Sequence, residues 1–241
     1  DQYKRYSSPD SVLIIHYAIG FSGLDEMLAL PDKKVLVYHN ITPPELVEAF
    51  APEIAQGCCR VGRELLLEFK GRVDRVVGDS EYNVQELRQM GFEGGVSIPI
   101  LLDCNKFLVP ADLEILSKYE RDGWVNWLFV GRVFPNKKQE DIIKAFYYYK
   151  KYINPSSRLI LVGSYKDMSL YHEYLLYLID SLKLKDVIIP GSVSEGELMA
   201  YYQVADLFVC MSEHEGFCVP LLEAIHAGIP VLAYDSSAVP E

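Results

Sequence analysis

The stretch SEHEGFCVPLLEAIHAG, residues 212–228, contains two glutamates, Glu215 and Glu223, with seven residues between them. On one unbroken helix, eight steps would leave the two carboxylates roughly 80° apart around the axis and about 12 Å apart along it. One helix therefore cannot direct both at a small ligand. The local sequence predicts instead a strand, a loop, and a helix that begins near Pro220 and ends before Gly228.

This arrangement predicts an anion site beside two carboxylates. Glu215 would lie on the strand-to-helix loop, and Glu223 would lie about one turn into the helix. The first N–H groups of a helix have no partner within it, and they favour an anion at the loop. A ligand with hydroxyl groups at each end and a phosphate between them fits this pattern. The stretch therefore favours a sugar nucleotide as the ligand.

Length, charge and cysteine content narrow the class of protein. The 241 residues are enough for one large domain or two small ones, and half of them are hydrophobic. The formal net charge of −11 argues against nucleic acid as a partner, because phosphate backbones bind basic surfaces. The five cysteines match no zinc spacing and no disulfide framework, which indicates a reducing, cytoplasmic location.

The sequence also bears on membrane association. No apolar run approaches the ~20 residues of a membrane-spanning helix, and the amino-terminal residues DQYKRYSSPD lack the layout of a signal peptide. A protein with a negative net charge can still carry a local basic patch on its surface. A peripheral position on the inner face of the membrane therefore stays open as the alternative to a freely cytoplasmic one.

Apolar, β-branched strands alternate with helical segments, which predicts a parallel α/β architecture. The expected strands are 12–16, 35–39, 73–77, 96–100, 126–130, 158–162, 187–189, 206–210 and 230–234. The expected helices are 44–69 (broken by Pro52 and Gly57), 80–90, 111–121, 137–152, 167–182, 195–204 and 219–227. Two capping boxes, Thr42 with Glu45 and Ser194 with Glu197, support helix starts.

Polar residues follow several of these strands, at the edge where open α/β sheets bind ligands. They are His39, Asp79, the pair Gly131–Arg132, the pair Gly163–Ser164 and Ser212. Turns after strands need glycine and serine in any case, so no single turn decides the function. A histidine, an arginine and two glutamates on one edge together indicate a binding site.

Several motifs, in order along most of the chain, resemble those of retaining, family-4-type glycosyltransferases of group 1. They are VLVYHN (35–40), VVGDSEYNVQELRQMGF (76–92), FVGRVFPNKK (129–138), LVGS (161–164), YYQVADLFVCMSEHEGF (201–217) and the glutamate pair itself. The two glutamates alone would be a weak signal. Their combination with the upstream arginine and lysine is strong.

The resemblance implies a GT-B fold, an α/β architecture in which two doubly wound, Rossmann-like domains with parallel sheets face a cleft. We place a partial acceptor-side domain at residues 1–107 and a partial nucleotide-sugar-binding domain at residues 108–241. The strand–helix alternation weakens between Leu101 and Gly123, which indicates the link between them. The family's opening strand with its glycine loop and its closing helices have no counterparts here. We therefore expect a chain truncated at both ends relative to a full GT-B protein.

The same resemblance implies the roles of individual residues. The residues implied in catalysis are His39, Arg132, Lys137 and Glu215. The residues implied in donor binding are Gly131, Arg132, Lys137, Gly163, Ser164, Val193, Glu215, Gly216, Phe217, Cys218, Val219 and Glu223. Glu223 would accept hydrogen bonds from the two ribose hydroxyls, and Glu215 would lie near the transferred sugar. The family often has glycine where Cys218 stands.

Chemistry supports the cationic pair independently of the resemblance. Arg132 can bind two phosphate oxygens at once, and Lys137 adds a mobile positive charge. Two cations at the positive end of a helix are unfavourable unless an anion binds there. As the bond to a leaving phosphate breaks, negative charge grows on its oxygen, and cations already directed there stabilise the transition state. A solvated pair of charges is the alternative reading.

The sequence thus predicts a hexosyltransferase that uses a nucleotide diphosphate sugar, with GDP-mannose favoured over a UDP-hexose. The acceptor would be a glycan or a lipid-linked saccharide in polysaccharide biosynthesis. We expect no metal and no cofactor beyond the donor itself. A non-catalytic nucleotide-binding fragment or partner subunit, and a GT-B phosphorylase or epimerase, stay open as alternatives. A dinucleotide-dependent oxidoreductase is disfavoured, because no G-x-G-x-x-G turn follows the first strand.

Overall fold

A computed structural model describes residues 2–120 and 122–241 of the chain. They form two compact units. The N-terminal unit contains the chain up to Ile100, together with His214–Phe217 and Ser236–Glu241. The C-terminal unit contains Leu101–Glu213 and Cys218–Asp235.

The N-terminal unit is built on a four-stranded parallel sheet in the order β1-β2-β3-β4. The strands are β1 (Val12–Tyr17), β2 (Lys33–Tyr38), β3 (Arg75–Gly78) and β4 (Val96–Ser97). Side chains of β1 alternate, so that Ile15 and Tyr17 are buried while His16 is exposed. Strand β4 is shorter than the predicted 96–100, because Pro99 has no N–H group to continue the ladder.

Helices α1 (Leu24–Leu28), α2 (Pro52–Ile54), α3 (Val61–Leu66) and α4 (Glu81–Gln89) belong to this unit. The predicted helix 44–69 is broken, with a 3-10 turn at Pro44–Leu46, a π-helical stretch at Ala55–Arg60 and a 3-10 turn at Leu67–Phe69. The predicted Thr42–Glu45 capping box is wrong. Pro43 precedes a second proline and is held extended, so the chain is not helical where the box would form.

The C-terminal unit is a five-stranded parallel sheet in the order β7-β6-β5-β8-β9. The strands are β5 (Val125–Val130), β6 (Ser157–Val162), β7 (Val187–Gly191), β8 (Leu207–Cys210) and β9 (Val231–Ala233). Every residue of β6 is buried, as expected for a parallel strand covered on both faces. The strand order reverses between β5 and β8, and open α/β sheets bind ligands at the carboxyl end of such a reversal.

Helices α5 (Leu113–Tyr119), α6 (Gln139–Tyr152), α7 (Ser169–Ser181), α8 (Glu195–Val204) and α9 (Val219–His226) complete this unit, with 3-10 turns at Cys104–Leu108 and Pro135–Lys137. The Ser194–Glu197 capping box is confirmed. The predicted helix 111–121 extends to Arg121, which lies outside the described residues. No helix in the described parts of the chain has both the length and the hydrophobicity needed to cross a bilayer.

Candidate active site

The carboxyl ends of β5 and β6 lie very close together in the C-terminal unit. A Cβ atom on Gly163 would lie 1.9 Å from the carbonyl oxygen of Gly131, and the φ of Gly163 is 150°. Only glycine fits a backbone approach of this kind. The glycine that sequence analysis assigned to donor binding is therefore also what allows these two loops to meet.

Arg132 follows β5 directly, and most of its side chain is exposed (61%). Its guanidinium carbon lies 5.0 Å from the ring centroid of Phe134, a cation–π contact, and Nη2 lies 3.7 Å from a carboxylate oxygen of Asp167. The carbonyl oxygen of Arg132 accepts a hydrogen bond of 2.9 Å from Nε2 of buried Gln139, the first residue of α6. The backbone is thus fixed to a helix start while the cation stays in solvent.

Two lysines follow in the same loop and differ in their surroundings. Lys137 ends the 3-10 turn and is half-buried. Lys138 caps α6 in a left-handed conformation, and its Nζ lies 3.6 Å from a carboxylate oxygen of Glu140 and 3.3 Å from one of Glu213. Burial lowers the pKa of Lys138, but the two neighbouring carboxylates outweigh it and raise that pKa above its usual value. Lys138 therefore stays protonated, and the carboxylates of Glu140 and Glu213 balance its charge.

Helix α9 begins beside the carboxyl end of β8. Its N-cap is Cys218, which has a φ of 65° and so lies in the left-handed region that favours glycine. This conformation gives a physical reason for the glycine that the resembling family often has here. The Cys218 thiol is buried, with its Sγ 3.9 Å from the Sγ of Cys210, and Pro220 occupies the first turn as predicted. The N–H groups at this helix start suit an anion.

Glu223 lies in the middle of α9 and is buried rather than exposed (5%). One carboxylate oxygen accepts a hydrogen bond of 2.7 Å from the buried hydroxyl of Tyr202 on α8, and the other forms an ion pair with Nζ of Lys106. Burial raises the pKa of Tyr202 above its usual value, so the phenol stays a neutral donor. A buried carboxylate held from both sides differs from an ordinary charge on a helix surface.

Replacing Tyr202 by phenylalanine is expected to destabilise the C-terminal unit by about 1.5–3 kcal/mol, because a hydrogen bond to a buried carboxylate is lost while the ring is kept. Urea unfolding followed by tryptophan fluorescence measures this. Both tryptophans, Trp124 and Trp127, belong to that unit.

Tyr201→Phe is the matched control, since Tyr201 is its neighbour on α8, is also buried, and makes no hydrogen bond through its hydroxyl within residues 2–120 and 122–241. Equal losses in the two variants would show that Tyr202 does not hold Glu223.

The loop segment that carries Glu215 packs within the N-terminal unit. Glu215 is buried, and its backbone N–H donates a hydrogen bond of 2.8 Å to Oγ of Ser237. A Cβ atom on Gly216 would lie 2.6 Å from the carbonyl oxygen of His39, so only glycine allows this approach. The sequence signature thus fixes Glu215 and Gly216 against the end of strand β2.

His39 follows β2 and makes two hydrogen bonds through its ring. Nδ1 lies 2.6 Å from a carboxylate oxygen of buried Asp79, and Nε2 lies 2.7 Å from Nδ1 of His16 on β1. In the same unit Asn83 is fully buried; its Oδ1 accepts a hydrogen bond from Nδ2 of Asn40, and its backbone N–H donates one to Oγ of Ser80. Asn83 and Ser80 thus have structural roles here.

The predicted site residues fall into two groups, one on each unit. The C-terminal unit holds Gly131, Arg132, Lys137, Gly163, Ser164, Val193, Cys218, Val219 and Glu223; the N-terminal unit holds His39, Glu215, Gly216 and Phe217. Sequence analysis did not identify Lys106 and Tyr202 as partners of Glu223. Lys106 lies in the irregular segment before α5, and Tyr202 resembles a packing residue of α8, so neither carries a local signal.

Two units built on parallel sheets with flanking helices, and with charged groups at their carboxyl edges, define an α/β protein of the GT-B type. Solved structures bear out this fold. The chain superposes on the sucrose-phosphate synthase of Thermosynechococcus elongatus with a TM-score of 0.73 and 21% identity, over 95% of this chain and 57% of that one. Anabaena HepE, solved in complex with UDP and glucose, gives a TM-score of 0.69 and 20% identity, over 87% of this chain and 55% of that one.

The sequence profile of the glycosyl transferases group 1 matches residues 120–241, just over half of the chain, and the chain belongs to this family. A GDP-mannose-dependent alpha-mannosyltransferase of Mycobacterium tuberculosis is 25% identical over 96% of this chain and 57% of its own length. The alpha-monoglucosyldiacylglycerol synthase of Acholeplasma laidlawii is 34% identical over 45% of this chain and 26% of its own length. The chain thus spans about a quarter to just over half of these relatives.

Proposed function

We propose that the protein is a retaining hexosyltransferase that moves a sugar from a nucleotide diphosphate donor to a glycan or a lipid-linked acceptor, without a resident metal. The observation that carries this proposal is the buried Glu223 carboxylate on α9, a helix that follows β8, in the same unit as the cations Arg132 and Lys137, which follow the neighbouring strand β5. GDP-mannose is the favoured donor, because the curated relatives include a GDP-mannose-dependent enzyme that spans nearly the whole chain.

The chemistry follows from the charges on the C-terminal unit. Arg132 and Lys137 would neutralise the diphosphate and stabilise the negative charge that develops as the sugar leaves. The N–H groups at the start of α9 would add hydrogen bonds to the same group. Glu215 would contact the transferred sugar, and the departing phosphate would take the proton of the acceptor hydroxyl.

Glu223 would accept hydrogen bonds from the two ribose hydroxyls. A carboxylate has about four acceptor positions, so it can retain Tyr202 while it binds ribose. The Lys106 side chain is a quarter exposed and can turn to solvent when the ribose hydroxyls take its place. Tyr202 would then keep the carboxylate oriented in the free and bound states.

The Glu223→Gln variant is expected to weaken GDP and UDP binding about tenfold, while pyrophosphate affinity changes less than twofold. The amide replaces one acceptor oxygen with a donor, so one ribose hydrogen bond is lost and the phosphate contacts are kept. Calorimetric titration of both ligands measures the two affinities. Glu173→Gln on α7, an exposed position, is the control. Equal losses for nucleotide and pyrophosphate would contradict a ribose contact.

Transfer itself is tested by incubating the chain with GDP-mannose or UDP-glucose, with and without an acceptor saccharide, and by following GDP or UDP release and the glycan product. Transfer with retained anomeric configuration is the expected result. One specific observation keeps a second candidate, a nucleotide-binding part of a larger enzyme: the chain spans no more than 57% of the two relatives described above. Nucleotide binding without any turnover would favour that candidate.

A further inference from the structure

Three side chains at the carboxyl edge of the N-terminal sheet form a continuous hydrogen-bonded chain. It runs from Asp79, which follows β3, through His39, which follows β2, to His16 near the end of β1. The distance from Oδ2 of Asp79 to Nδ1 of His39 is 2.6 Å, and that from Nε2 of His39 to Nδ1 of His16 is 2.7 Å. We name these three residues the Asp79–His39–His16 chain.

The geometry of the two imidazoles is that of a hydrogen bond in the ring plane. Their planes are 6° from parallel, and their centroids are 5.0 Å apart. This separation equals roughly the N–N distance plus the two ring radii, so the rings of His16 and His39 meet edge to edge instead of face to face. The lone pair of one nitrogen then points at the proton of the other, as a strong hydrogen bond requires.

The Asp79–His39–His16 chain fixes which nitrogen of each histidine carries a proton. An ionised Asp79 can only accept, so Nδ1 of His39 carries a proton and donates it. In a neutral imidazole the other nitrogen is then an acceptor, so Nε2 of His39 accepts from Nδ1–H of His16. The remaining nitrogen, Nε2 of His16, is left with a lone pair. Asp79 thus determines the tautomer of a side chain two residues away in the network.

Within the Asp79–His39–His16 chain, the solvent exposure of the residues increases from Asp79 to His16. Asp79 is buried, the His39 side chain is 28% exposed, and His16 is exposed. Both ring nitrogens of His39 form hydrogen bonds within this unit, whereas Nε2 of the exposed His16 forms none within residues 2–120 and 122–241. The carboxyl edge of the strands is where parallel sheets bind ligands.

We propose that Nε2 of His16 accepts a hydrogen bond from a hydroxyl group of a sugar substrate, with His39 and Asp79 as positioning residues that fix its tautomer. This inference rests on the proposed sugar-transfer function for the identity of the ligand. The tautomers themselves do not depend on that function. The hydroxyl can belong to the donor sugar or to the acceptor sugar, and the two sources give different results below.

The tautomers are measured by two-bond proton–nitrogen correlation spectra of the chain with nitrogen-labelled histidine. The sequence has five histidines, so substitution of each one assigns every signal. We expect protonated Nδ1 and unprotonated Nε2 for both His16 and His39 near neutral pH. The opposite tautomer at His16 would overturn the proposal.

The Asp79→Asn variant gives the second arm. An asparagine can donate to Nδ1 of His39, which moves the proton to Nε2 of His39 and then, through His16 Nδ1, to Nε2 of His16. Both tautomers are expected to invert. Asp25→Asn, at an exposed aspartate of α1, should leave both unchanged. Unchanged tautomers in the Asp79→Asn variant would show that Asp79 does not control the tautomer of His16.

Kinetics identify the hydroxyl. His16→Ala is expected to lower kcat/KM for sugar transfer about tenfold, the effect of one lost hydrogen bond, and to leave GDP affinity within about twofold. His16→Gln keeps an acceptor oxygen and should lose less. If donor hydrolysis falls together with transfer, the hydroxyl is on the donor sugar; if only transfer falls, it is on the acceptor. Unchanged transfer in His16→Ala would overturn the contact. Absence of transfer in the unmodified chain would instead count against the proposed function.

Discussion

Replacing Arg132 by alanine is expected to weaken GDP or UDP binding by about 30- to 150-fold, equivalent to about 2–3 kcal/mol. In the free protein the guanidinium is mostly exposed, and within the described residues its ring and ion-pair contacts are with Phe134 and a carboxylate oxygen of Asp167 at 3.7 Å. Its loss should therefore cost little stability. The contribution of Arg132 to binding arises when a diphosphate binds and both charged groups lose water. In the Arg132→Ala variant the bound phosphate charge would be left unpaired at the sheet edge.

Calorimetric titration of the Arg132→Ala variant with GDP, UDP and pyrophosphate measures the effect. All three affinities should fall by similar factors, since the arginine contacts the phosphates and not the nucleoside. Lys144→Ala is the control, as Lys144 is an exposed cation on α6 that pairs with Asp141. Unchanged affinity in Arg132→Ala, or an equal loss in both variants, would remove Arg132 from the binding site.

The Gly163→Ala variant is expected to destabilise the C-terminal unit by about 3–5 kcal/mol. The added Cβ would lie 1.9 Å from the carbonyl oxygen of Gly131, and a backbone atom cannot move aside as a flexible side chain can. The alanine would force apart the loops that follow β5 and β6, which costs overpacking energy. The unfavourable φ of residue 163 adds a second cost. Urea unfolding followed by the fluorescence of the two tryptophans gives the free energy of unfolding of this unit.

Gly123→Ala separates the two causes. Gly123 has a φ of 78°, but apart from its two chain neighbours no heavy atom of the described residues lies within 4 Å of an added Cβ, so its substitution should cost only about 1 kcal/mol. A loss in Gly163→Ala no larger than that in Gly123→Ala would mean that the loops do not depend on their close approach. A larger loss supports the role of Gly163 in shaping the edge.

Much of the fold could be predicted from the sequence because its signals are local. Helix α8 has its capping box and matches the predicted 195–204, and the helix around Glu223 has Pro220 in its first turn and ends before Gly228 as expected. The buried strands of the C-terminal unit match because continuous apolar runs bounded by turn residues leave few alternatives. The group 1 glycosyltransferase family also follows from spaced motifs along the chain.

The segments that could not be predicted depend on longer-range context. The 44–69 region is divided among 3-10, α and π turns, which helical periodicity does not distinguish. The five-residue helix α1 is too short to produce a periodic pattern. The packing of His214–Phe217 with the N-terminal unit is likewise invisible in the order of residues.

The candidate site shows the same division. The sequence places Arg132 and His39 at the carboxyl ends of strands, because each follows an apolar run, and it places Glu223 about one turn into a helix. It does not show that Lys106 and Tyr202 hold Glu223, since Lys106 comes from an irregular segment and Tyr202 resembles a packing residue of α8. Contacts between side chains distant in the sequence require the coordinates.

Hydrogen–deuterium exchange of the chain, with and without saturating GDP or UDP, tests most directly whether a nucleoside diphosphate occupies the carboxyl edge of the C-terminal sheet. We expect slower exchange in residues 131–138 and 218–224, where the cations and the start of α9 would contact the diphosphate. No protection by either nucleotide, or protection confined to other segments, would contradict the account.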